Sequence, residues 1–295
     1  MSVPNILVQF SDALAALAAN ASGFLAEIRT GDGQCLNGVL WKPNAVVVSE
    51  QVLADASDYE VAVGGHSMKG HLAGRDPGTN VAVLKLDEDL PANLPSFAVP
   101  KTGALALVLG TGTNGVTARL TLVRSVGGAW QSLAGGTIDQ RIVLDSPVGS
   151  GEGGPVLTAD GTLLGISTRG AGRQGLVIPA STIDRVAAVL LEKGNVERGW
   201  LGVSLRPVAL PETLRPEGQR VGLMVMDVGD DSPAAKAGIV AGDILLSAGG
   251  ARATRFGRIA RQFGAHSIGK KVEITLARAG AIITSEATIT ARNPA

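Results

Sequence analysis

The chain has 295 residues, 45% of them hydrophobic and 18% charged, a balance typical of folded globular proteins and not of disordered ones. Its 26 basic and 26 acidic residues cancel, which argues against nucleic acid or an anionic membrane as the main partner. The single cysteine, Cys35, excludes an intramolecular disulfide and a cysteine-rich zinc site.

The first predicted element is an amphipathic helix over residues 1–21, because Leu7, Phe10, Leu14 and Leu17 recur at helical spacing. A secretory signal peptide is the alternative, since "ANAS" resembles a cleavage site. The stretch lacks a basic beginning, however, and polar residues interrupt its apolar run. The sequence alone therefore favours the cytoplasm, or the periplasm if an export leader has been removed. No stretch is apolar for long enough to predict a membrane span.

Short β-branched runs separated by turn residues follow, and their spacing predicts a β-barrel or sandwich and not βαβ units. The first set of runs is "GFLAEIRT", "NGVLWKP", "AVVVSE", "YEVAVGG" and "NVAVLKL". A proline-rich passage at 90–103 separates it from the second set, which is "ALALVLG", "VTARLTLVRSV", "RIVLDS", "GPVLTA", "TLLGIST" and "GLVIPA". We therefore expect two β-units within residues 22–196.

A helix closes this region. Ser181 and Asp184 have the spacing of a capping box, Lys193 suits the carboxyl end of the helix dipole, and Gly194 predicts its end. The linker "GNVERG" then leads into a segment of different character, residues 197–295, with strands predicted at "GDILLSAGG" and "KKVEITLARAG". One helix is predicted at "DSPAAKAG", because a serine and a proline stand where a helix begins and a glycine where it ends. A second helix is predicted from an apolar stripe formed by Phe256, Ile259, Ala260 and Phe263.

Three candidate motifs are set aside. "GTGTNG" at 110–115 matches the dinucleotide-binding pattern, but β-branched residues follow it where the helix that holds a pyrophosphate is needed, so we predict a hairpin. The three histidines lack metal-ligand spacing and are interpreted as surface or satisfied polar residues. Cys35 is interpreted as an inert cysteine on a strand. No cofactor and no metal are expected.

The glycine-rich turn "GEGGPV" at 151–156 has the form that projects a nucleophile while leaving backbone N–H groups for an oxyanion. It resembles the G-x-S-G-G-P turn of trypsin-like serine proteases. "GTNVAVLKL" and "AVVVSEQVL" resemble two further stretches of the HtrA/Deg family of those proteases. "RGWLGV" and "DSPAAKAGIVAGDILL" resemble its appended PDZ domain. The resemblance implies a mainly β chain: a trypsin-like double six-stranded β-barrel followed by an α+β PDZ domain.

The same resemblance places the family's catalytic histidine at Gln51, its aspartate at Asn80 and its serine at Glu152. A glutamine amide does not titrate near neutral pH and cannot act as a general base. Ser150, Gly151 and Glu152 fall where the family's oxyanion hole lies, so we expect a vestigial hole there. We also expect a neutral Asn80–Gln51 amide pair, because a buried aspartate without an imidazole would be an uncompensated charge.

These departures favour a catalytically inactive, HtrA-like binding or scaffolding protein. The alternative is an active serine-type endopeptidase with a rearranged site, for instance one that uses Ser150. A third role, as a subunit beside active relatives, stays open, as does a homotrimer. The expected partners are peptide or protein C-termini, captured by strand addition. The residues that the resemblance implies for this capture are Leu201, Gly202, Val203, Leu205, Ile259 and Phe263.

Overall fold

The computed structural model describes residues 5–31, 33–56, 58–91, 93–112, 115–132, 134–264 and 267–291. The chain divides into two compact units between Val196 and Glu197. The first unit is built on two closed barrels of six strands each, and the second on one open sheet. The predicted fold class, a trypsin-like double barrel followed by an α+β PDZ domain, is confirmed.

The first barrel closes in the order β1-β2-β3-β6-β5-β4, with every pair antiparallel. Its strands are β1 Leu25–Arg29, β2 Cys35–Lys42, β3 Ala45–Ser49, β4 Asp58–Val63, β5 His66–Asp76 and β6 Val81–Leu86. Ser49, the last residue of β3, pairs with Val81, the first residue of β6. This register brings the residues just after β3 beside those just before β6, which is where Gln51 and Asn80 stand.

The second barrel closes in the order β11-β14-β13-β12-β7-β8. Its strands are β7 Leu105–Gly112, β8 Gly115–Gly127, β11 Arg141–Leu144, β12 Pro155–Thr158, β13 Leu163–Arg169 and β14 Gly175–Pro179, with the small hairpin β9 Trp130–Gln131 and β10 Thr137–Ile138 between β8 and β11. Strands β7 and β8 form the hairpin predicted at "GTGTNG", whose residues 113 and 114 lie outside the described part. No dinucleotide-type helix follows it.

The predicted N-terminal helix forms as α1, Ile6–Ala21, and the side chain of Asn5 caps it. Only part of the predicted apolar stripe packs against the barrels. Leu14 and Leu17 pack on the main core, whereas Leu7 is 72% and Phe10 40% exposed. The helix contacts β7 and β8. The amino-terminal half of the stripe is therefore left uncovered.

The second long helix, α2, spans Ala180–Lys193 and ends at Gly194, whose φ of 75° is left-handed as predicted. The predicted capping box is wrong, because the residue at the N-cap is Pro179, which provides no side-chain cap. Asp184 instead accepts a hydrogen bond of 3.2 Å from the indole nitrogen of Trp41. That bond ties the helix to the first barrel.

Polar residues outside the predicted site behave as interpreted. His71 lies on the surface between two carboxylates, with its Nδ1 2.7 Å from Asp58 and its Nε2 2.9 Å from Asp87. The hydrogen bond to Asp58, followed by that to Asp87, raises the pKa of His71 above its usual value. Cys35 is exposed at the start of β2. His266 lies outside the described residues. Among the described residues, no cluster of potential metal ligands occurs.

In the second unit, the main sheet runs β16-β17-β18-β20-β21, so β16 is an edge strand. The elements are β15 Gly199–Trp200, β16 Val203–Ala209, β17 Val221–Val228, α3 Pro233–Lys236, β18 Ile244–Ala248, β19 Ala251–Arg252, α4 Phe256–Ala260, β20 Lys271–Arg278, β21 Ala281–Thr288 and β22 Thr290–Ala291. The predicted "DSPAAKAG" helix is confirmed, with Ser232 as its N-cap and Gly238 at a φ of 71° beyond its end. No described helix is long and apolar enough to span a membrane.

Candidate functional site: a modified catalytic centre and a peptide groove

The turn before β12 depends on two glycines that no other residue could replace. Gly153 has a φ of 84°, and a Cβ there would lie 2.4 Å from the carbonyl oxygen of Asn37. A Cβ on Gly154 would lie 1.9 Å from the carbonyl oxygen of Leu109. Both distances are shorter than packing permits. The backbone of the turn therefore passes so close to Asn37 of the first barrel and Leu109 of the second that only glycine fits at these two positions. The turn that the sequence singled out is therefore fully formed.

The side chain of Asn37, on β2, holds this turn from the first barrel. Its amide nitrogen donates to the carbonyl oxygens of Ser150 at 2.8 Å and Glu152 at 3.0 Å. Its carbonyl oxygen accepts from the backbone nitrogen of Thr111 at 2.6 Å. Asn37 is 3% exposed, so these bonds replace hydration that the amide would lose on burial. No sequence motif pointed to this residue.

Gln51, Asn80 and Glu152 meet at one point, as the resemblance implied. The backbone nitrogen of Gln51 donates to Asn80 Oδ1 at 2.7 Å, and Gln51 Nε2 makes a close hydrogen bond to Glu152 Oε1. The expected pairing of the Asn80 and Gln51 side-chain amides is wrong. Asn80 Nδ2 donates instead to Ser49 Oγ at 2.9 Å and Thr168 Oγ1 at 2.6 Å. The reason is that Glu152 takes the amide donor of Gln51.

The Glu152 carboxylate is the centre of this network and is only 7% exposed. Its Oε1 also accepts from the hydroxyls of Ser49 at 3.5 Å and Thr168 at 3.3 Å, and from the backbone nitrogen of Arg169 at 3.3 Å. Its Oε2 forms a close ion pair with Arg169 Nε. An ionised carboxylate has about four acceptor positions. Four of these donors converge on Oε1, and Oε2 has Arg169 Nε as its partner among the described residues, so the carboxylate is held in place from both of its oxygens.

Arg169 is the functional residue that the motif analysis missed. It is the last residue of β13, and the pairing of Pro155 with Ile166 in the β12–β13 hairpin brings it beside Glu152. A buried carboxylate without a cation would be strongly unfavourable, and the guanidinium compensates it. The negative charge of Glu152 is thus compensated by Arg169. In the β12–β13 hairpin, extending the antiparallel pairing of Pro155 with Ile166 by three residues places Arg169 opposite Glu152. The residues next to Arg169 in the sequence give no such indication.

The expected oxyanion hole is altered. Residues Gly149–Gly151 form a 3₁₀ turn in which the backbone nitrogen of Gly151 donates to the carbonyl of Val148 at 3.2 Å. That N–H is consequently unavailable to an oxyanion, whereas the N–H of Glu152 has no acceptor among the described residues. Ser150 is exposed, and its hydroxyl has no hydrogen-bond partner in the described part of the chain. The Ser150 hydroxyl thus has no base bonded to it among the described groups.

The second candidate site is the loop before β16. The carbonyl oxygens of Leu201 and Gly202 each accept a 2.9 Å hydrogen bond, from the backbone nitrogens of Ala234 and Gly229. The N–H groups of Leu201 and Gly202 donate to no acceptor in the described part of the chain. Gly202 has a φ of 85°, and a Cβ on it would lie 2.2 Å from Ser232 Cβ. The loop is therefore fixed by α3 with two backbone donors available to an anion.

Next to this loop, β16 presents an unpaired edge to which a peptide strand can add. Val203 and Leu205 on β16 and Phe263 after α4 are half-buried side chains at the boundary of the core of this unit. Ile259 is 1% exposed and packs within that core. Ile259 was expected to line the side-chain pocket, but α4 places it in the core. Phe256, at the start of α4, is instead 38% exposed.

Comparison with known proteins identifies both units. Residues 36–166 match the family of trypsin-like peptidase domains, and residues 199–289 match the PDZ domain family. Fold and site therefore define the class: a trypsin-like peptidase domain joined to a PDZ domain. The chain belongs to the HtrA/Deg family.

Curated relatives show how much of the chain shares this similarity. A DegP-like periplasmic serine endoprotease of Bartonella henselae is 30% identical over 251 residues, which are 80% of this chain and 48% of that protein. One of Halomonas elongata is 31% identical over 253 residues, 80% of this chain and 51% of the relative. This chain thus spans about half the length of these curated relatives.

Solved structures extend the similarity to both units. The HtrA-type protease AlgW with a decapeptide superimposes with a TM-score of 0.76 at 25% identity and covers 96% of this chain and 99% of its own. A serine endoprotease from Yersinia pestis superimposes with a TM-score of 0.74 at 26% identity, covering 99% and 100% of the two chains.

Proposed function

We propose that this protein is a catalytically inactive member of the HtrA family that binds peptide C-termini through its PDZ domain. The observation that carries the proposal is the buried Glu152 carboxylate, which stands where the family's nucleophile belongs and is bound to Gln51, at the position of the family's base, and to Arg169. Acyl transfer in this fold needs a hydroxyl, a base that accepts its proton and donors for the oxyanion. Neither Gln51 nor Glu152 supplies the hydroxyl or its activation. The relatives, by contrast, are named as serine endoproteases.

The catalytic part of this proposal is tested with a fluorophosphonate probe and a casein cleavage assay. We expect the full chain to give neither labelling nor cleavage, and Glu152→Ser alone to remain inert, because the Gln51 amide cannot accept the hydroxyl proton. An active trypsin-like protease labelled in the same mixture serves as the control for the probe. Labelling of the unaltered chain, mapped to Ser150 by mass spectrometry, would contradict the proposal and establish the rearranged endopeptidase.

The binding part rests on the second unit. The loop at Leu201 and Gly202 offers backbone N–H groups for a terminal carboxylate, and β16 offers an edge for the peptide backbone. One of the solved relatives was obtained with a decapeptide bound. We therefore assign the role of binding peptide or protein C-termini to this groove. Its half-buried side chains, Val203, Leu205 and Phe263, select apolar residues at the end of the peptide.

We further propose that the chain self-associates through the uncovered half of α1. Ile6 and Leu7 are 76% and 72% exposed, and Phe10 is 40% exposed. A cluster of this kind is typical of an interface and not of a monomer surface. By light scattering, we expect the full chain to have the mass of a trimer, and Leu7→Asp/Phe10→Asp to have that of a monomer. Val99→Asp, at another exposed apolar position, is the matched control. Equal masses for all three proteins would contradict this interface.

A further inference from the structure

The entrance to the modified catalytic centre is a cavity of about 350 Å³ lined by Gln51, Arg169, Gly170 and Arg173. No acidic residue is among these four, and the Glu152 carboxylate is already paired with Arg169. The Arg169 side chain is 57% exposed, and its Nε is paired with Glu152. Its remaining nitrogens are therefore available at the cavity wall.

Arg173 adds a second guanidinium to this wall. Its side chain is exposed, and it has no ion-pair or hydrogen-bond partner among the residues that the structure describes. Arg173 lies in a turn in which it and Gly172 both have left-handed backbones, with φ values of 62° for Arg173 and 67° for Gly172. The negative charge of Glu152 offsets that of Arg169, so Arg173 leaves one net positive charge at this cavity. The chain as a whole has a net charge of zero.

A third guanidinium, that of Arg119, borders a different turn, the one that leads to Glu152. Arg119 Nη1 donates to the carbonyl of Pro147 at 2.8 Å, and its Nη2 lies 3.3 Å from where a Cβ on Gly149 would stand. The turn that leads to Glu152 is thus bordered by positive charge. A neutral or apolar peptide side chain gains nothing from these groups, whereas a carboxylate gains charge-assisted and bidentate hydrogen bonds.

We propose that this cavity is a second, non-catalytic peptide site, which binds a carboxylate through Arg173 and the free nitrogens of Arg169. The ligand is a peptide because the domain has the fold of a peptidase, and the group selected is the carboxylate of an acidic side chain or of the chain end. This site is separate from the PDZ groove and does not depend on the function proposed for it. The replaced catalytic residues thus form a recognition element.

The test measures fluorescence anisotropy of labelled peptides with the full chain at low salt. An amidated, Glu-containing heptapeptide is compared with its Gln counterpart, so that neither offers a terminal carboxylate to the PDZ loop. We expect the Glu peptide to bind about tenfold more tightly, and Arg173→Gln to remove about that factor, in keeping with a hydrogen bond to a charged group. Arg173→Lys should retain part of the preference, because the charge remains.

Two controls locate the effect. Arg124→Gln removes an exposed arginine on β8, away from the cavity lining, and should leave binding unchanged. Gly202→Ala, which alters the PDZ loop, should also leave it unchanged, so failure of one site is distinguishable from failure of the other. If Arg173→Gln weakens only a neutral peptide with a free C-terminus, the bound group is the chain-end carboxylate. Equal binding of the Glu and Gln peptides together with no effect of Arg173→Gln on the neutral peptide with a free C-terminus, or equal loss with Arg124→Gln, would overturn the proposal.

Discussion

Amidation of an apolar peptide's C-terminus is expected to weaken its binding to the full chain about tenfold or more. The N–H groups of Leu201 and Gly202 have no acceptor among the described residues, and a carboxylate would supply one. Hydrogen bonds to a charged group contribute about 1.5–3 kcal/mol, which corresponds to about ten- to hundredfold in affinity. Isothermal titration calorimetry with the free and the amidated peptide measures the difference.

Gly202→Ala is expected to abolish this binding. A Cβ at this position would lie 2.2 Å from Ser232 Cβ, at a φ of 85°, so the loop must move away from α3. Gly280→Ala is the matched control, because Gly280 has a similar φ of 82° but nothing within 4 Å of its added Cβ. The control carries the same backbone strain without the clash. Equal binding of free and amidated peptides, or a loss in Gly280→Ala equal to that in Gly202→Ala, would contradict the assignment.

Arg169→Ala is expected to lower the free energy of unfolding of the first unit by about 1–2 kcal/mol. The substitution leaves the 7% exposed Glu152 carboxylate without its cation. The estimate is below that for a fully buried pair, because Arg169 itself is 57% exposed. The double variant Glu152→Gln/Arg169→Ala should be more stable than Arg169→Ala, since a neutral amide needs no counter-charge.

The measurement is urea denaturation followed by tryptophan fluorescence. The transition of each compact unit is fitted separately, because the two can unfold independently. Arg173→Ala is the matched control: this neighbouring arginine has no described partner, so its removal should change stability by less than about 0.5 kcal/mol. If Glu152→Gln brings no recovery in the Arg169→Ala background, the ion pair does not stabilise the centre.

The sequence by itself determined the class of fold and the order of the elements. Alternating β-branched runs predicted the strands of both barrels because each strand has one face on a core, and this pattern is local. The helix at "DSPAAKAG" was equally readable, since Ser232 and Gly238 act on their own backbone neighbours. The three positions that the resemblance assigns to the family's catalytic residues, Gln51, Asn80 and Glu152, followed from short motifs whose residues are close in sequence.

Only the tertiary structure decided what those altered positions do. The capping box at Ser181 and Asp184 failed because the helix begins at Ala180 with Pro179 as its N-cap, and Asp184 binds Trp41, 143 residues away. The expected amide pair of Gln51 and Asn80 failed because Glu152 accepts from the Gln51 amide and Thr168 accepts from the Asn80 amide. These partners are set by barrel closure and register, not by neighbouring residues. The charge balance of the site is therefore a property of the fold that no single motif contains.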